Sequence, residues 1–368
     1  MIYLDNASTS FPKCPGVKQI LNDYLEKGAL NINRSTSASS FDLEEKIFDI
    51  RESVKRFFNA PKNSHVVFTR GVTESINLFV NGFLNKNDSV LVSPYEHNAV
   101  IRPLTENGIN INIIDQDKCV DNIKCVIINH ASNVTGNVYE LGNAKRIAQK
   151  LRIPLVLDTA QSAGCVKVDM SDIGADFLAF SAHKGLLGLQ GAGGAIITEE
   201  LAKKIKPLIF GGTGSLSSSY NMPDFLPDKF EAGTLNIPGI LSLGEGIKFV
   251  ENYGIENIHS HKKQLREECI KGLSAISGIS VIGDTDKENT GVVSFISSSV
   301  DNAVIASLLD NQYGIATRVG LQCAPLAHKT LNTFNIGGTV RVSFSLFNTL
   351  SEVEVLLDAL TAILKTNQ

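Results

Sequence analysis

Leu155-Val156-Leu157-Asp158-Thr159-Ala160-Gln161-Ser162 decides the fold, together with the stretch one unit later, Phe177-Leu178-Ala179-Phe180-Ser181-Ala182-His183-Lys184-Gly185. Each opens as an unbroken apolar run of strand length and closes on chemically able side chains. A run without polar alternation reads as a strand covered on both faces, the habit of a parallel sheet. An Asp at such a strand end loses hydration and needs a cationic or donor partner, unless it caps a following helix. A lysine flanked by small residues has room for an aldehyde on its amine, and burial lowers an ammonium pKa towards Schiff-base chemistry. Alone, Lys184 would read as a surface lysine. Its place one strand unit after Asp158 favours a shared site.

Working outward, Val66–Thr69, Ser89–Val92 and Cys125–Ile128 repeat the apolar strand pattern, with amphipathic helical segments at Thr73–Leu84 and Glu140–Leu151. Strands alternating with helices predict an α/β fold built on a mostly parallel sheet. Ligands in such sheets bind beyond the carboxyl ends of the strands. Thr73, His97, Asn133, Asp158 and Ser181 through Lys184 all closely follow an apolar run, so one rim collects polar groups. Arg70-Gly71-Val72-Thr73 enters a helix, where backbone N–H groups and the Thr73 hydroxyl can hold a phosphate, or Thr73 can serve as an ordinary cap. Past Pro238 the texture changes. Helical stretches at Ile240–Tyr253 and Ile255–Ile276 precede strands Val292–Phe295 and Val340–Phe344, a helix near Asp301–Gln312 and a last helix over Ser351–Lys365. The expected division is a large domain over 16–237 and a smaller C-terminal α/β domain over 238–368, joined by the N-terminal segment 1–15.

Composition closes off other classes. Thirty-four basic and 38 acidic residues leave a net charge of −4 with no basic block, which excludes nucleic acid as the expected partner. No apolar run approaches the roughly 18 residues of a membrane span, and Met1–Asn6 lacks the basic start of a secretory leader, so the expected location is cytoplasmic and off the membrane. Six cysteines lack paired spacing, which argues against a disulfide framework and against zinc; no metal site is expected. His259 and His261 read as solvated. Gly188–Gly194 is not a dinucleotide fingerprint, and the phosphate-loop motif of nucleotide hydrolases does not occur.

With these residues assembled, the chain resembles the class V aminotransferase-fold enzymes and, within them, the cysteine desulfurases of the short-loop, selenocysteine-lyase-like group. The likeness runs from Tyr3-Leu4-Asp5-Asn6-Ala7-Ser8 to Arg341-Val342-Ser343-Phe344-Ser345. It implies the type I fold of pyridoxal 5′-phosphate enzymes. Lys184 would carry the cofactor, Asp158 would pair with its ring nitrogen, and His97 would stack on the ring and take part in proton transfer. Asn133 and Gln161 would contact the phenolic oxygen, while Thr73, Ser181 and His183 would bind the phosphate. Thr234, in Glu231-Ala232-Gly233-Thr234, would reach the phosphate of a neighbouring subunit, implying a homodimer with shared sites. Arg341 would fork onto the substrate carboxylate, Asn133 and Arg318 would lie on the substrate side, and Cys323, in Arg318-Val319-Gly320-Leu321-Gln322-Cys323-Ala324-Pro325, would accept sulfur.

The implied reaction converts L-cysteine to L-alanine and leaves a persulfide on Cys323, with a protein sulfur acceptor as a further expected partner. Alternatives are a selenocysteine lyase, another class V lyase or aminotransferase, and a non-catalytic scaffold that binds a sulfur carrier. Two positions depart from the family pattern. Gln322 stands where relatives usually carry His, and the Asn33–Ser37 stretch lacks a further His common there.

Overall fold

A computed structural model describes residues 1–27, 30–32, 37–114 and 122–366. Its centre is a seven-stranded sheet in the order Ser64–Thr69, Gly193–Thr198, Phe177–Ser181, Leu155–Asp158, Ile123–Asn129, Ser89–Val92 and Asn110–Ile113. All neighbours are parallel except Gly193–Thr198, which runs antiparallel to both strands beside it.

Both faces of this sheet are covered, which is why its strands carry no alternation. Leu155, Leu157, Val126, Ile128, Leu178 and Phe180 point into one core, beneath helices that supply Ile47, Ile50, Ala144 and Ile240. Val156, Cys125, Ile127, Phe177 and Ala179 point into the other, beneath Ile76, Phe79, Val100 and Leu104. Successive side chains therefore reach opposite cores, as strand geometry requires.

Gly193 and Gly194 open the antiparallel strand. A Cβ at Gly193 would strike the Phe180 carbonyl oxygen and come within 2.6 Å of the Gly71 Cα. Bare backbone at 193 is what lets this strand sit beside the turn at Gly71, whose own φ of 138° suits glycine.

A separate four-stranded antiparallel sheet, in the order Arg318–Gly320, Thr339–Ser343, Val292–Ser297 and Ile279–Ile282, forms the C-terminal layer. Its core holds Val293, Phe295, Val340, Val342, Leu356 and Leu360. The two-unit organisation over 16–237 and 238–368 stands as a proposal supported by these two separate sheets. At its boundary, the helix Ile237–Tyr253 buries Ile240, Leu241, Leu243 and Ile247 in a core of the large sheet.

The N-terminal segment links the two. Ile2–Tyr3 pairs in parallel with Ile315–Ala316, and Leu4 lies in the C-terminal core. The chain then crosses to the large sheet, where the Ser10 N–H donates to the His183 carbonyl at 2.8 Å. Among the described residues no helix is long and apolar enough to cross a membrane.

Gly246 shows how tightly the helix Ile237–Tyr253 sits on the loop after Lys184: a Cβ there would enter the Leu186 carbonyl oxygen. Gly246→Ala should destabilise by about 1–3 kcal/mol, read as a lower urea midpoint at unchanged slope. Gly142→Ala, which meets nothing within 4 Å, should stay within about 0.5 kcal/mol of the parent.

Candidate active site

The carboxyl ends of the parallel strands open into a cavity of about 690 Å³ between the two sheets. It is lined by Thr73, His97, Asn133, Asp158, Gln161, Ser181, His183, Lys184, Arg318, Cys323 and Arg341 together with the N-terminal residues Ala7 and Ser8. Residues scattered from position 7 to position 341 thus share one space. Thr234 is the exception. It is exposed and lines an adjoining cavity with Arg70, Glu74 and Ile209, which also border the main one. Glu231 anchors that stretch through a two-point pair with Arg51 at 2.6 and 2.7 Å and by accepting the Phe68 N–H at 2.6 Å.

Asp158 closes its strand 2% exposed, with Oδ1 accepting the Ala160 N–H at 2.8 Å. Burial raises its pKa, while that hydrogen bond and the charge of Lys184 pull it down. Lys184 is half-buried because it borders an open cavity, yet its amine lies deep enough that desolvation drives its pKa down, opposed chiefly by Asp158. Each group thus moderates the other's desolvation.

His97 caps the helix Asn98–Glu106, its Nδ1 accepting the Ala99 N–H at 3.0 Å. Burial and the positive charges of Lys184, Arg341 and Arg102 push its pKa to about 4, so the imidazole is neutral with its proton on Nε2. The helix Val72–Phe83 begins at Gly71 without a side-chain cap, and Ser181 Oγ accepts the Val72 N–H at 3.1 Å. Its N-terminal amides, Thr73 and Ser181 share one corner of the cavity, an arrangement that could hold an anion.

Arg341 is buried, and its guanidinium is held by this chain. Nη2 donates to Asp5 Oδ1 and Ser8 Oγ, each at 2.8 Å, and Nη1 donates to the Asn133 carbonyl at 2.8 Å. Nε has no partner among the described residues, and neither do Asn133 Oδ1 and His183 Nδ1. Buried polar atoms without partners are costly, and three of them on residues lining one cavity mark where a polar ligand belongs. Their set, with a carboxyl on one side, an amine nearby and an anion corner beside them, fits pyridoxal 5′-phosphate.

Asp5, Ser8, Glu96 and Asn129 escaped sequence reasoning. Asp5 and Ser8 reach the site only through the N-terminal crossing, for which no local signal exists. Glu96 lies wholly buried beneath the cavity floor, where Oε1 accepts from Ser93 Oγ at 2.6 Å and the Asn129 N–H at 2.7 Å. Burial pushes its pKa from 4.5 to about 8. Cys14, Cys125, Cys165 and Cys269 are buried and Cys323 is exposed; Cys119 lies outside the described residues, as do positions 33–36. His261 departs from the solvated reading: its Nε2 meets the Asn348 carbonyl at 2.9 Å. Among the described residues no cluster of three His, Cys, Asp or Glu side chains could hold a metal.

The profile of the aminotransferase class-V family matches residues 2–356. A probable cysteine desulfurase of Methanothermobacter thermautotrophicus is 35% identical over 98% of this chain and 94% of its own length. The apo structure of a cysteine desulfurase from Thermococcus onnurineus NA1 superposes with a TM-score of 0.88 at 31% identity, covering 99% of this chain and 95% of that one. The Escherichia coli cysteine desulfurase CsdA, in its S-sulfonic acid form, gives 0.86 at 26% identity over 100% and 95% of the two chains.

The Glu96 carboxyl binds its proton more tightly folded than unfolded, so its contribution to stability is full below pH 4.5 and is lost as pH rises towards about 8. Glu96→Gln should remove that loss. Urea unfolding from pH 5 to 9 should give the variant a flatter alkaline limb, with its largest advantage at or above pH 8.

Proposed function

The chain belongs to the aminotransferase class-V family, and from that membership we propose that it is a pyridoxal-phosphate-dependent cysteine desulfurase. The observation that carries the reading is the convergence of Lys184, Asp158, Arg341 and an exposed Cys323 on one cavity. Two such sites in a homodimer, each completed by Thr234 of the other subunit, and a cytoplasmic location form part of the proposal. The exposure of Thr234 outside its own chain's main cavity favours the shared arrangement.

Bound pyridoxal phosphate supplies an electron sink for the charge left when the substrate's α-proton departs. Lys184 would hold the aldehyde end and Asp158 the ring nitrogen, Thr73, Ser181 and His183 would hold the phosphate, and Asn133 and Gln161 would face the phenolic oxygen. Gln161 is itself steadied by donating to the Ala7 carbonyl at 3.0 Å.

Arg341 draws in the substrate carboxylate through its unpartnered Nε. Arg318, 53% exposed in its side chain at the mouth, adds a second positive charge for an incoming anion. Lys184, whose desolvation favours the neutral amine, takes the α-proton. Neutral His97 donates through its Nε2–H, since Nδ1 accepts the Ala99 N–H. The Cys323 thiolate attacks the cysteine sulfur: an S–S bond forms and the substrate's Cβ–S bond breaks with its electron pair going to carbon; Cβ then takes a proton, and the α-carbon takes back the one held by Lys184, giving alanine. The persulfide on Cys323 then passes to an acceptor.

Cys323→Ala tests the reading. Alanine release from L-cysteine should fall to below about 1% of the parent rate while the visible absorption of the bound cofactor persists. Normal alanine release by that variant would remove Cys323 from the reaction. Cleavage of selenocysteine alone would turn the assignment to a selenocysteine lyase.

A further inference from the structure

The turn Leu321-Gln322-Cys323-Ala324 presents the exposed thiol on a backbone that neither central residue favours. Gln322 has a φ of 41° and Cys323 of 57°, and the Ala324 N–H donates to the Leu321 carbonyl at 2.8 Å. Two consecutive left-handed residues closed by this bond follow the pattern of a type I′ turn, for which Asn-Gly is the usual pair because a Cβ crowds the backbone there. Gln-Cys offers no such local preference, so the surroundings must impose the shape.

Two contacts seize the backbone itself. Asn133 Nδ2 donates to the Gln322 carbonyl at 2.7 Å, and the Asn98 N–H donates to the Cys323 carbonyl at 2.8 Å. A third grip comes from below, through the buried Gln322 side chain. Its Nε2 donates to the Thr339 carbonyl at 3.0 Å. A carbonyl only accepts, so the amide orientation is settled and Oε1 is the atom 2.7 Å from His328 Nε2. His328 must then carry its proton on Nε2, leaving Nδ1 to accept from Thr333 Oγ1 at 2.7 Å. His328 is wholly buried, and burial pushes its pKa to about 4, in keeping with a neutral ring. The amide is spent on protein partners, one of them in the strand that bears Arg341.

We infer that Gln322 is a positioning residue: gripped by His328 and the Thr339 carbonyl, its amide holds the Cys323 turn in the left-handed form and thereby aims the thiol into the cavity. The inference rests on the proposed role of Cys323 in sulfur transfer, and it gives the departure from His at 322 a physical content. Gln joins a donor to a carbonyl and an acceptor to an imidazole in one rigid group.

The test compares Gln322→Ala, Gln322→Gly and Thr333→Val in the holoenzyme by amide hydrogen exchange at Asn98 and Ala324, alongside kcat and KM for L-cysteine. Gln322→Ala loses the anchor and keeps the backbone strain, so both amides should exchange about tenfold faster, and kcat should fall by a similar factor with KM within about twofold. Gln322→Gly also loses the anchor but adopts positive φ freely, so it should recover most of both losses. A role in packing alone predicts the reverse order, with glycine no better than alanine. Thr333→Val cuts only the far link and should give a smaller change of the same sign, which keeps the test open if the alanine variant does not fold. Exchange in Gln322→Ala equal to the parent, or a glycine variant no better than alanine, overturns the inference. Exchange needs no turnover, so an enzyme inert towards cysteine would overturn the desulfurase reading while the amide rates still decide the anchor.

Discussion

A carboxyl and an amine, Asp158 and Lys184, have been drawn out of water at the ends of neighbouring strands, and the site depends on each tempering the other's loss of hydration. Burial pushes the Asp158 pKa up and the Lys184 pKa down, and the opposite charge of each pulls the other's back. Facing one cavity, they set up a field in which a ring cation can be held on one side and a reactive amine kept on the other. The two-faced sheet makes this possible: only strands covered on both sides carry their ends so far from solvent.

The N-terminal segment performs a second task that the sheet cannot. Ile2–Tyr3 adds to the C-terminal unit, Asp5 and Ser8 hold Arg341, and Ser10 bonds to the His183 carbonyl next to Lys184. One stretch of chain therefore ties Arg341 to the segment that carries Lys184. Asp5 neutralises a buried guanidinium that would otherwise be very costly, while Nε stays without a partner among the described residues.

The thiol loop follows a different logic from the rest of the site. Asp158 closes a strand and His97 caps a helix, so regular backbones impose their direction, and Lys184 follows three residues after the strand Phe177–Ser181. Cys323 sits on a left-handed turn whose shape is borrowed from its neighbours: the Asn133 side chain, the Asn98 amide and the amide of Gln322. Cys323 is exposed at this turn, while the Gln322 side chain beneath it joins a buried chain through His328 and Thr333.

Five of the central sheet's seven strands, and most of the residues on its rim, were legible in the sequence; Asn110–Ile113 and the antiparallel Gly193–Thr198 were not. Leu155–Leu157 and Phe177–Phe180 are apolar throughout because both of their faces are covered, a property written locally, and Asp158 and Lys184 follow at once. The amide–imidazole chain under Cys323, the Asp5–Arg341 pair, the burial of Glu96 and the separate cavity at Thr234 were decided only by tertiary structure. Asp5 and Arg341 meet because a parallel bridge joins Asp5 to Ser343, and Gln322 turns towards His328 because the Thr339 carbonyl orients its amide. Hydrophobic periodicity records which face of an element is covered. It carries no record of which distant polar atom a loop will meet, because that depends on how the elements close around one another.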